Sequence, residues 1–139
     1  MSTLTNALSM NTVRQLSNAR ILNVAGLVLT SAAMLVQIAA GSTLYPSVTG
    51  PIVLVVTAVL VAFVPSRWTA YAGLVVPLVL GVGAIVAAVM TGGFIDQLTS
   101  VGNPGVFLGS VLHVVGLMAA VGGGVGTVLD GRAAGERER

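Results

Sequence analysis

Cysteine and lysine are absent from this chain, and its 139 residues hold only four acidic side chains and one histidine. Without cysteine there is no disulfide, no thiolate metal ligand and no redox dithiol. No Asp or Glu falls inside any long apolar run, so the buried carboxylates, lysines and thiols on which membrane enzymes and proton-coupled pumps rely are missing. Charge as a whole is scarce: 7% of residues are charged against 55% hydrophobic. That leaves too little polar surface to cover a water-soluble globule, and the chain reads as an integral membrane protein. The net charge of +2 does not point to nucleic acid, because all six basic residues are arginines set in short stretches between apolar runs. There they act as topology signals.

What is present is a series of apolar runs separated by turn formers, and together they predict an all-α integral membrane four-helix up-and-down bundle. The first span covers 21–40, an uncharged run longer than the core of a secretory signal and long enough to cross the hydrocarbon layer. A second, shorter span over 48–65 starts at Thr49-Gly50-Pro51, with proline in the first turn. Pro65-Ser66-Arg67-Trp68 then forms a tight turn, its arginine in the headgroups and Trp68 and Tyr71 in the aromatic belt. The third span, 70–90, contains Pro77, which removes one helix hydrogen bond and is tolerated in a membrane helix packed on neighbours. The fourth, 104–129, opens with Asn103 as side-chain N-cap and Pro104 at the first helical position. Residues 1–19 are expected to form a polar tail, and 130–139 a disordered mixed-charge tail. Arginines lie before span one, between spans two and three, and after span four. The positive-inside rule therefore predicts both termini in the cytoplasm, with Tyr45 and Asp96 outside.

Within the spans, small and polar residues recur at helical spacing. Asn23, Gly26, Thr30, Ala33 and Gln37 share one face of span one, and Gly105, Gly109, Gly116, Gly122 and Gly126 are assigned to the packing face of span four. Small residues allow helix backbones to approach closely in lipid, where apolar side chains gain nothing by hiding. These faces are expected to meet, with Thr30 beside His113, Gln37 beside Gly105 and Gly109, and Asn23 beside Gly116 to Gly122. Leu22, Leu29 and Val36 would then face lipid.

His113 is the one titratable side chain placed at mid-span by this reading, at a depth similar to Thr30 and Thr57. It has two readings. In the first, it ties helices together by hydrogen bonds to hydroxyls or to carbonyls freed near Pro77. In the second, His113, Thr30, Thr57 and Pro77 surround an intramembrane ligand or proton-relay site. No cofactor or metal set is legible. A bis-histidine haem lacks its second histidine, and Met34, Met90 and Met118 carry no ligating motif. Small four-helix cation exporters need a carboxylate in the first span, where this chain offers Asn23, Thr30 and Gln37. Four-helix enzymes that bind glutathione need a cluster of basic residues where only Arg20 and Arg67 stand. The function expected is therefore non-enzymatic: an accessory or assembly subunit of a membrane complex, or a homo-oligomer, embedded in the plasma membrane. The alternative is a small-molecule binding or transport protein with its site near His113.

Overall fold

The structure is a computed structural model, and it describes residues 2–42, 48–64, 66–99 and 101–137. All of its regular structure is helical. The helices are α1 (Ser2–Ala39), α2 (Thr49–Phe63), α3 (Arg67–Thr91), the short α4 (Gly93–Thr99) and α5 (Pro104–Arg137). Among the described residues, three segments are long and apolar enough to cross a membrane: Asn18–Ala39, Arg67–Thr91 and Pro104–Arg137. The fourth apolar helix, α2, has 15 residues and at 1.5 Å per residue covers about 22 Å, short of the roughly 30 Å hydrocarbon layer. Position 65, the end of the expected span 48–65, and positions 43–47 before it, with Tyr45, lie outside the described residues.

The C-terminal tail departs from the disorder expected of it, and the polar N-terminal tail is helical as well. Residues 2–18 continue α1 without a break, and α5 runs on through Asp130 to Arg137. Helix is costly to nucleate but easy to extend. No proline interrupts Ser2–Ala39, and Ala133, Ala134 and Glu136 favour helix beyond the apolar run of α5. The connection before α5 is not plain loop either, since it contains α4.

Helix ends are closed by local chemistry. Ser66 and Thr69 form a reciprocal capping box at the start of α3, each side chain accepting from the other's backbone N–H at 3.3 Å. The Thr69 hydroxyl also donates to the Val64 carbonyl at 2.7 Å, tying the α2–α3 turn shut. Asn103 caps α5 through Oδ1, which accepts from Val106 N at 3.4 Å, while its Nδ2 donates to the Ala40 carbonyl at 3.2 Å. One side chain thus serves the start of α5 and the end of α1. Gly92 ends α3 with φ +67°, a left-handed conformation that glycine adopts without strain.

The four long helices pack as a ring. Helix α1 lies against α5 and α2, and α3 lies against α5 and α2, with α1 and α3 barely touching across the centre. The most extensive interface joins α1 to α5, first to last. The interior is unusually polar: Asn23, Thr30, Ser31, Gln37, Ser110 and His113 are buried beside Leu27, Met34, Leu54 and Ala120. The outer surface is apolar instead, with Ile52, Val79, Ile85, Val89 and Met90 among many exposed large side chains. This inside-out distribution suits a protein dissolved in lipid.

Candidate functional site

The bundle interior is organised around Asn23. Pro77 has no N–H to donate, so the Gly73 carbonyl one turn earlier in α3 lacks its helix partner. Asn23 on α1 donates to that carbonyl at 2.9 Å from Nδ2, and the same nitrogen donates to the Ala120 carbonyl of α5 at 2.6 Å. With a side chain 1% exposed, Asn23 spends both amide protons on two other helices and joins three at one point. The sequence reading offered the carbonyls near Pro77 to His113; the one freed at Gly73 is held by Asn23. Gly73 makes room for the contact, because a Cβ there would meet Asn23 Oδ1 at 2.6 Å and Val61 Cγ2 at 2.8 Å.

Around this joint, α1 and α5 meet backbone to backbone in one antiparallel register. A Cβ on Gly26 would collide with the Ala120 backbone, one on Gly123 with the Asn23 backbone, and one on Gly116 would lie 2.8 Å from Thr30 N. A Cβ on Gly109 would lie 2.6 Å from Gln37 Cγ, and one on Gly105 3.0 Å from Ala40 Cβ. Thr30 therefore stands opposite Gly116, three residues along α5 from His113. Asn23 lies opposite Gly123 and Ala120.

Gly122 does not belong to this seam. It is exposed, and a Cβ there meets nothing within 4 Å. Its neighbours do the packing: Gly123 faces α1, while Gly124 faces α3, where a Cβ would sit 3.1 Å from the Gly73 carbonyl oxygen. Gly126 is half-buried against Ala19. The signal for the correct face was present in the sequence. Gly109, Gly116 and Gly123 recur every seven residues, which returns to within about 20° of one direction, whereas the six-residue step from Gly116 to Gly122 swings about 120° away. On the outside of α1, Leu22 and Val36 are exposed and Leu29 is half-buried.

The hydroxyls grouped with His113 are used close to home. Thr30 donates to the Gly26 carbonyl at 2.7 Å and Thr57 to the Val53 carbonyl at 2.8 Å, each within its own helix. Ser31 instead crosses to α2, donating to the Pro51 carbonyl at 3.0 Å. His113 is 5% exposed and shares one feature with Pro77. Both line a groove of about 560 Å³ between α3 and α5, walled otherwise by apolar residues such as Leu78, Ile85, Leu117 and Met118. Thr30 and Thr57 are not among its walls. The groove exists because α3 buries only Thr69, Gly73 and Pro77, leaving the half of the helix after Pro77 uncovered. Among the described residues, no three His, Asp or Glu side chains gather as a metal site would require.

Compared with known proteins, the chain matches no family model, no curated protein and no solved structure.

Proposed function

We propose that the protein is a non-enzymatic multi-pass membrane subunit that works by lateral helix association, as an accessory or assembly component of a membrane complex or as a homo-oligomer. The observation that carries this reading is the contrast within α3. Its first half is anchored through Thr69, Gly73 and Pro77, while Val79, Val82, Ile85, Val89 and Met90 in its second half are all more than half exposed. Covering that face with another transmembrane helix adds packing contacts that this chain does not supply for itself. Crosslinking in native membranes followed by mass-resolved purification tests the proposal: a covalent product larger than the monomer is expected, linked through α3. A monomer with no co-purifying chain would overturn it.

A second reading rests on the groove itself, where Pro77 and His113 line one apolar space between two helices. Such a space suits a small apolar or weakly basic molecule entering sideways from the bilayer. Replacing His113 with Gln separates the two. Retained folding with lost ligand binding supports the groove as a site, whereas retained crosslinking and unchanged binding supports the association surface.

The proposed orientation places both termini in the cytoplasm of a plasma-membrane protein, supported by the distribution of arginines. Single cysteines introduced at Ser42, Ser66, Asp96 and Gly135 into this cysteine-free chain report on it through an impermeant maleimide applied to intact cells. Labelling is expected at Ser42 and Asp96 only, and the opposite pattern would reverse the orientation.

A further inference from the structure

A cleft of about 300 Å³ opens between the first turns of α3 and the last turns of α5, at the end of the bundle that also carries Arg20. Its walls include Arg67 and Tyr71 from α3, and Thr127, Arg132 and Glu136 from α5. The cleft has depth because α5 continues as helix beyond its apolar run, a stretch in which residues 131–134 are all exposed. That extension forms one wall of the cleft. The Arg67 guanidinium leans across toward it, so that a Cβ on Gly135 would lie 3.8 Å from Nη2.

Neither Arg67 nor Arg132 forms an ion pair or hydrogen bond with another described residue, and both are exposed. The Thr127 hydroxyl is already committed to the Gly123 carbonyl at 2.8 Å, which leaves the two guanidiniums and the Tyr71 hydroxyl as donors. Planar guanidiniums bind the oxygens of a phosphate in pairs, more specifically than an ammonium does. Trp68 is 83% exposed beside Arg67, and tryptophan and tyrosine favour the headgroup level of a bilayer. Glu136, in the same walls, adds one negative charge. It suits a ligand with a single charge on phosphate over a dianionic monoester.

From this arrangement we propose that the cleft binds the phosphodiester of an anionic phospholipid, held by Arg67 and Arg132 with Tyr71 as a third donor, its acyl chains lying along the apolar outer surfaces of α3 and α5.

Native mass spectrometry of the purified full-length protein in detergent tests it, with phosphatidylglycerol and phosphatidylcholine as probes. Wild type is expected to retain phosphatidylglycerol in preference to phosphatidylcholine. Retention should fall about fivefold for each guanidinium removed in Arg67→Gln and Arg132→Gln, with helicity and melting unchanged. Arg20→Gln, on another side of the bundle, should retain the lipid as wild type does. Equal retention in wild type and the double glutamine variant, or an equal loss in Arg20→Gln, would overturn the site. Should the glutamine pair disturb the fold, the pair Arg67→Lys and Arg132→Lys preserves the charge and is expected to bind more weakly than wild type; binding at the wild-type level would overturn the guanidinium role. Millimolar inorganic phosphate separates the two sources of this chemistry. Adducts that survive it assign the cleft to lipid, and displacement by it would assign the cleft to free phosphate and overturn the lipid.

Discussion

The two faces of α5 are built on opposite plans. Toward α1 it presents Gly109, Gly116, Ala120 and Gly123, and the two backbones come so close that added methyl groups would strike main-chain atoms. Toward the second half of α3 it presents Val114, Leu117, Met118 and Val121, larger and more apolar, yet a groove remains between the helices. In water the second face would be the stronger, because apolar area drives association there. In lipid that driving force is absent, since hydrocarbon solvates leucine as well as a neighbouring helix does. Cohesion therefore follows close backbone approach and buried hydrogen bonds, and both are concentrated where α1 meets α5 and at the Asn23 joint.

The sharpest way to break this comparison is to fill the tight face and the open face with the same side chain. Gly26→Leu or Gly123→Leu forces α1 and α5 apart and should destabilise by about 1–3 kcal/mol through overpacking, read as a lower melting temperature in detergent by circular dichroism. Gly122→Leu, one position from Gly123 but exposed, should fall within about 0.5 kcal/mol of wild type. Equal damage at Gly122 and Gly123 would erase the distinction between the faces.

Next in size is the joint. Asn23→Ala removes two interhelical hydrogen bonds and should destabilise by about 1–2 kcal/mol, on the scale of about 0.6 and at most about 1.7 kcal/mol per bond measured in membranes. The effect is coupled to Pro77. Pro77→Ala restores an N–H that competes for the Gly73 carbonyl, so Asn23→Ala should be less damaging in that background, by about 0.6 kcal/mol or more. A double-mutant cycle measured by detergent unfolding checks this. Additivity within error would mean that the carbonyl left free by Pro77 is not what Asn23 serves.

The smallest effects belong to the lipid-facing side chains. Leu22→Ala and Val36→Ala, on the exposed side of α1, should each shift stability by no more than about 0.5 kcal/mol in the same melting assay. A larger loss at either would place that side chain in a contact between copies or subunits, and it would then join α3 as a candidate association surface.

Much of this architecture is legible in the chain because it rests on short-range chemistry. Apolar runs, the Asn103-Pro104 start of α5 and the turn after Pro65 are all decided within a few residues. So is the spacing of Asn23, Gly26, Thr30 and Gln37, since a helix puts such positions on one face whatever lies opposite. The error at Gly122 has an equally local origin. In a run of three consecutive glycines, composition does not say which one faces the partner, and only the seven-residue period back to Gly109 and Gly116 does. The helical C-terminal tail was missed because polar composition argues for disorder only when no stable helix adjoins it.

By itself the sequence determined that the chain is helical, that it is too apolar for water, and that Pro77 must leave a backbone carbonyl without its helix partner. Tertiary structure decided who answers that carbonyl. Asn23 lies 50 positions from Gly73 and 97 from Ala120, and no local rule selects one amide among the buried polar groups for that task. The same holds for the groove at His113 and the cleft at Arg67 and Arg132, which exist only where α3 comes to rest against α5. Local backbone preferences act over a turn or two, whereas the register between distant helices is set by how closely their surfaces fit once the whole bundle has closed.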